Sequence, residues 1–239
     1  MRHIAAVLLS LSLAGCVMPM EPASQLGSQP LQQTSTTPNI LPPNQAARNF
    51  IAAVDAVEPL AEQICRARTR GINCDFRIAI DDHPGEAPNA FQSLDETGRP
   101  VLAFNLALIA NAQNIDEIAF VIGHEAAHHI AGHIPQQQQS ASQGALLAGI
   151  LVAISGGDEA TIQEAQKIGA TVGARRFSKG FELEADALGT EITERAGFDA
   201  LRGAAFFDRL PDPGNKFLGT HPPNADRRAT VARAVAALR

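Results

Sequence analysis

The sequence predicts a helix-dominated α+β domain, and three observations carry that prediction. Apolar residues recur at helical spacing over most of the chain from Ile115 to Leu238. One short region, residues 76–104, alternates instead like strands, with Gly85 and Thr97-Gly98-Arg99-Pro100 placed as turns. The part with these patterns is about 195 residues long and has no internal repeat, which suits a single domain of ordinary size.

The chain opens on Met1-Arg2-His3, a short basic start, followed by an almost wholly apolar run from Ile4 to Leu13. That is the pattern of a secretory signal, too short to span a bilayer as a helix. It closes on Leu13-Ala14-Gly15-Cys16, which resembles the lipobox of bacterial lipoproteins. The resemblance implies cleavage before Cys16 and acyl chains on that residue. Several chains on one residue hold firmly, because each buried methylene contributes about 0.8 kcal/mol. Val17 stands where inner-membrane retention favours Asp, so the expected location is the bacterial periplasm, anchored to the outer membrane. Met18 to Asn44 is rich in Pro, Gln, Ser and Thr and reads as a flexible tether. The expected organisation is a signal at 1–15, a lipidated N-terminus and tether at 16–44, and one folded domain at 45–239.

Within that domain, Gln45–Arg70 has helical spacing, with Pro59 as an expected kink or break. Cys65 and Cys74 are an even pair in an oxidising compartment and are expected to form a disulfide, worth about 2.5–3 kcal/mol by loop closure. A metal site on both thiolates would need a second pair nearby, and none exists. Phe76–Ile80, Ala90-Phe91 and Val101–Phe104 are the expected strands of a small sheet. Asn114, with Glu117 three residues on, resembles a helix cap, and Ile115, Ile118, Ala119 and Ile122 form one face of the helix that follows. Gly144–Ile154 is apolar over about eleven residues, too short to cross a membrane. It is expected either to pack over the functional site or to act as a mobile lid. Further helices fit Ala160–Ala174, Ser178–Ala196, Ala200–Leu210 and Asn224–Leu238.

The formal net charge is −6 and there is no basic run, which argues against nucleic-acid binding. Trp and Tyr are absent, so Phe, Leu, Ile, Val and Ala must build the core.

The chemistry concentrates in His124-Glu125-Ala126-Ala127-His128. Two histidines four apart on a helix lie one turn above each other, so their rings can grip one Zn²⁺. Glu125 then sits beside the open position, where it can take a proton from water on the metal. A catalytic zinc usually has three protein ligands. Metzincin spacing cannot supply the third, because positions 131 and 134 are Ala131 and Ile134. Phe181-Glu182-Leu183-Glu184-Ala185-Asp186 offers Glu182 and Asp186 on one helical face. One of these carboxylates can bind the metal while the other accepts the outer N–H of a ligating histidine. Glu184 points elsewhere and is expected to be a surface charge. His129 and His133 are also four apart but lack an acid in the base position, so one is expected in solvent and the other behind the ligands. His83, in Asp81-Asp82-His83-Pro84, is expected to be exposed.

The ordered set Asn89-Ala90-Phe91, Ile122-Gly123-His124-Glu125-Ala126-Ala127-His128, Glu182-Leu183-Glu184-Ala185-Asp186 and Thr220-His221-Pro222 resembles the HtpX-like and CAAX-prenyl-protease-like zinc metalloendopeptidases. Among these it is most similar to the periplasmic BepA- and LoiP-type members. The resemblance implies a zincin-like domain whose small sheet packs on the active-site helix. It also implies a gluzincin site with one zinc on His124, His128 and Glu182, Glu125 as general base, and Asp186 orienting a histidine. Members often carry Ser-Arg before the third ligand, where this chain has Ser178-Lys179, losing a planar fork of donors.

With Tyr missing, His221 and Arg227 are the candidates for stabilising the oxyanion of peptide hydrolysis. By resemblance, His221 can instead be a fourth zinc ligand that holds the enzyme at rest. The implied substrates are unfolded or misassembled envelope proteins, added as a strand to the Asn89-Ala90-Phe91 edge. A chaperone or assembly factor using the same groove with little proteolysis is the main alternative. A small-substrate zinc amidase would instead show a deep closed pocket.

Overall fold

A computed structural model describes residues 41–176, 178–214 and 221–239. The expected signal, Cys16 and nearly all of the tether lie outside the described residues.

The first helix, α1 (Pro43–Arg68), begins two residues before the expected boundary. Ala46, Phe50, Ala53, Val57, Ala61 and Ile64 recur every three or four residues, and all are buried. The helix runs unbroken through Pro59, so the expected break does not occur. Pro59 and Asp55, whose carbonyl loses its donor, both lie on the exposed side, where solvent can replace the missing bond. Cys65, at the end of α1, is bridged to Cys74 with a Cα–Cα distance of 5.8 Å.

Three strands follow: β1 (Arg77–Asp81), β2 (Ala90–Leu94) and β3 (Pro100–Asn105). Their order is β1-β3-β2, with β1 parallel and β2 antiparallel to β3. β1 starts one residue later than expected because Phe76 turns into the core and its N–H donates to Glu62 Oε1 at 3.1 Å. Central β3 is buried along its whole length, whereas β2 is an edge. A short helix, α2 (Leu106–Asn111), escapes the sequence reading. Asn105 creates it: its side-chain oxygen accepts from Leu108 N–H at 2.9 Å and from Asn89 N–H at 3.0 Å.

Helix α3 (Ile115–Ile130) is capped by Asn114, which accepts from Glu117 N–H at 3.1 Å. The Glu117 carboxylate reaches back to Gln113 N–H at 2.8 Å and pairs with Arg209. The predicted apolar face is present, but burial continues all the way round from Asp116 to Ala127, because α1 and the later helices enclose α3.

Helices α4 (His133–Ile154) and α5 (Glu159–Arg176) form a hairpin packed mainly on itself. Their backbones meet at Gly144, where a Cβ would stand 2.1 Å from the Gly169 carbonyl oxygen. The expected packing of Gly144–Ile154 over the site does not occur: it is the outer half of α4 and is not among the residues that line the cleft described below. Leu146, Leu147, Ile150, Leu151 and Ile154 are exposed on it. Among the described residues, no helix is long and apolar enough to cross a membrane.

Helix α6 (Ser178–Arg195) packs on α3. The predicted helix over Ala200–Leu210 divides into one α turn, α7 (Ala200–Gly203), and a 3-10 segment (Ala204–Arg209). The tighter segment brings Phe206 and Phe207 into the core together and delivers Arg209 to Glu117, so tertiary contacts override helix propensity. The last helix, α8 (Asn224–Leu238), starts directly after Pro222-Pro223.

Glu58 and Glu62 lie one turn apart on α1. Burial, then the neighbouring Glu62 charge, pushes the Glu58 carboxyl up to about 7. Its folded-state value lies above its unfolded one, so the stability it contributes is full at low pH and is lost as pH rises from about 4.5 through 7. Replacing Glu58 by Gln is expected to remove that loss. Urea unfolding at pH 8 should show the variant more stable than wild type by about 0.5 kcal/mol after solvent screening, with the difference shrinking toward pH 5. Equal curves across this range would refute the assignment.

Candidate metal centre

Helix α3 places His124 and His128 one turn apart, with their Nε2 atoms 3.1 Å from each other. Helix α6 supplies Glu182, whose carboxylate oxygens lie 3.6 Å from His124 Nε2 and 3.4 Å from His128 Nε2. A tetrahedral ion with bonds of about 2.0–2.1 Å holds its ligand atoms roughly 3.3 Å apart. The three side chains therefore fit a zinc ion.

Two glycines permit this convergence. A Cβ on Gly189 of α6 would stand 2.9 Å from the His124 backbone, and one on Gly123 of α3 would stand 2.9 Å from the Gly189 carbonyl oxygen. Only with both side chains absent can α6 bring Glu182 and Asp186 against the histidines. Gly189→Ala is expected to cost about 1–3 kcal/mol by overpacking and to displace Glu182 from His124. Its unfolding curve and its zinc affinity should fall together; an affinity matching wild type would show that the helix spacing does not set the site.

Asp186, fully buried, accepts from His124 Nδ1 at 2.9 Å. Arg227 of α8 holds it from the other side, donating from Nε to Oδ2 at 2.8 Å and from Nη2 to Oδ1 at 2.6 Å. The guanidinium lies over the Phe207 ring at 3.7 Å. Two of its donors thus hold Asp186, while Nη2 also lies 3.6 Å from Glu182 Oε2 and Arg227 lines the cleft described below.

The electrostatics of the site favour a cation. Burial opposes charge on His124, yet the carboxylates of Asp186 and Glu182 outweigh it, and its pKa is pushed up to about 10. Burial also opposes ionisation of Glu182, but hydrogen bonds from His124, His128 and His221 hold its pKa well below the usual range. Burial raises the pKa of Glu125, with the neighbouring histidines opposing it. Three carboxylates around one guanidinium leave an excess of negative charge that suits a divalent ion.

The remaining histidines separate clearly. His133 is buried, with Nδ1 2.8 Å from His128 Nδ1, Nε2 3.3 Å from Glu184, and its ring stacked on Phe181. Glu184 is thus largely the surface charge expected, at 61% side-chain exposure, yet it also reaches a residue behind the ligands. His129 meets the Asn73 carbonyl at 2.7 Å. His83 is exposed and pairs with Asp81. His221 places Nδ1 3.1 Å from Glu182 Oε2 and is half-exposed. Thr220, beside it in the predicted motif, lies outside the described residues.

His124, Glu125, His128, His133, Glu182, His221 and Arg227 line a cleft of about 480 Å³. Pro88, Asn89, Ala90, Phe91 and Gln92 form one wall, so the cleft runs along edge strand β2. Phe181 and Phe207, which support His133 and Arg227, were missed by the sequence reading; no local pattern distinguishes them from the chain's other phenylalanines.

A profile of peptidase family M48 matches residues 58–235. The chain belongs to peptidase family M48. The match takes in every site residue from His124 to Arg227 together with the disulfide pair. Among proteins similar to this M48 chain is a putative beta-barrel assembly-enhancing protease of Vibrio cholerae, 34% identical over 139 residues. A beta-barrel assembly-enhancing protease of Yersinia pestis is 30% identical over 145 residues. Each alignment covers 53% of this chain but only 29% of the relative.

Proposed function

We propose that this chain is a zinc-dependent endopeptidase that degrades misfolded or misassembled proteins of the bacterial envelope. The observation that carries the reading is the convergence of His124 Nε2, His128 Nε2 and the Glu182 carboxylate, beside buried Glu125, in a cleft walled by an edge strand. Bound there, zinc would supply Lewis acidity, polarising the peptide carbonyl and lowering the pKa of water. The chain's own groups do the rest. The backbone of β2 aligns an extended substrate by adding it to the sheet, which gives affinity with little sequence preference. Glu125 accepts the proton of the attacking water and returns it to the leaving amine. Asp186 holds His124 in place through Nδ1. His221, beside Glu182, and Arg227, which also lines the cleft, are the candidates to stabilise the oxyanion, and His221 can instead cover the metal at rest.

Lipidation at Cys16 would tether this activity to the periplasmic side of a membrane, the outer membrane by the identity of Val17. A second reading has specific support, because the relatives are named for enhancing barrel assembly. In that reading the same groove binds assembling clients and cuts rarely.

Metal analysis of protein purified without added zinc is expected to return about one zinc per chain, as a single catalytic site requires. Glu182→Ala is expected to abolish retention, because two histidines alone leave the ion too weakly held. Metal-free wild-type protein that also fails to take up added zinc would overturn the proposal.

A further inference from the structure

The two ligating histidines are supported from behind by different chemistry. His124 has the buried carboxylate of Asp186 on its Nδ1. His128 has no carboxylate there among the described residues; its Nδ1 faces Nδ1 of His133 at 2.8 Å. Two ring nitrogens at that distance share one hydrogen, and its place can be deduced. A histidine that binds metal through Nε2 must carry its hydrogen on Nδ1. His128 is therefore the donor and His133 Nδ1 the acceptor. His133 then carries its own hydrogen on Nε2, which points at Glu184 Oε2, 3.3 Å away. Metal binding thus sets the direction of every hydrogen bond from His128 through His133 to Glu184.

We propose that His133 and Glu184 are a positioning pair for His128, holding its ring and tautomer for metal binding as Asp186 does for His124. The chain's packing supports this role. His133 is 4% exposed, and its ring lies flat on Phe181, centroids 4.5 Å apart and planes at 17°. That stack fixes the ring while leaving both nitrogens free for the relay. Phe181 and Glu184 both come from α6, the helix that also supplies Glu182. One helix therefore provides a ligand and, through His133, the support for another ligand.

The inference rests on the zinc reading above, so its test must fail separately. Zinc affinity is measured by chelator competition on wild type and three variants, with the unfolding temperature of each metal-free protein recorded alongside. His133→Phe keeps the stacked ring and removes the acceptor; it is expected to weaken zinc binding about 10–100-fold, as loss of an outer partner does. His133→Asn places an oxygen near the position of Nδ1 and is expected to recover most of that loss. Glu184→Ala removes a side chain that is 61% exposed, and a smaller loss in the same direction, about threefold or more, is expected. A change in affinity with little change in metal-free unfolding temperature separates positioning from a structural role. Failure of wild type to bind zinc would sink the proposed function. Wild-type binding with unchanged affinity in His133→Phe and Glu184→Ala, or equal losses in His133→Phe and His133→Asn, would overturn only the positioning pair. If His133→Phe does not fold, Glu184→Ala decides alone.

Discussion

Glu125→Gln is expected to lower peptide hydrolysis by about two to four orders of magnitude while leaving zinc stoichiometry unchanged. Gln has nearly the shape of Glu, so the buried position beside His124 and His128 stays filled. None of the three converging ligands is altered. What disappears is a group able to take a proton from water and pass it to the leaving amine. Burial has already raised the pKa of Glu125, which moves it toward the neutral range where proton acceptance and donation are best balanced. The measurement is cleavage of an unfolded protein substrate by zinc-loaded wild type and variant, with metal content checked on the same samples. Residual activity above about a tenth of wild type would remove Glu125 as the general base. The same variant separates protease from assembly factor: cells in which Glu125→Gln still supports envelope function would show that client binding, not cutting, is the main role.

Some of this site could be read directly from the sequence because its geometry is local. His124 and His128 are one helical turn apart, so their convergence follows from the helix alone. The same holds for Glu182 and Asp186, once the resemblance had divided their roles. Contacts that depend on how one helix is rotated against another were not legible. Glu184 was assigned to the surface by its own helical face, and its link to His133, the first residue of α4, arises only from the packing of α6 on the preceding helix α3. Arg227 was singled out as an oxyanion candidate because Tyr is absent, and its bidentate hold on Asp186 depends on the register of α8 on α6, which no local pattern shows. The fold shows the same division. Helices and strands with clear periodicity were placed within one or two residues at most ends, but α2 depends on one asparagine that caps it and braces the loop before β2. The apolar segment Gly144–Ile154 was expected to pack over the site or to act as a lid; its helix is paired to α5 through small residues, which composition cannot foretell.

Asp186→Ala is the stability counterpart, expected to cost about 3–5 kcal/mol because it removes the carboxylate that accepts from both Nε and Nη2 of buried Arg227 and leaves only Glu182, 3.6 Å from Nη2, as a close charge partner. Asp186 is 0% exposed and Arg227 is 7% exposed, so water cannot replace the lost interaction without local opening. The same change removes the acceptor of His124 Nδ1, and zinc affinity is expected to fall about 10–100-fold. These two effects have different origins and can be separated. Asp186→Leu combined with Arg227→Met replaces both charges by apolar groups, and such exchanges of a buried pair are often close to neutral. The double variant is therefore expected to recover most of the lost stability in urea unfolding of metal-free protein. It should not recover zinc affinity, because His124 still lacks its acceptor. If the single variant costs less than about 1 kcal/mol, the buried pair is not the structural tie described here. If the double variant restores zinc affinity as well as stability, Asp186 acts on the metal only through the fold, and the orienting bond to His124 has no separate role.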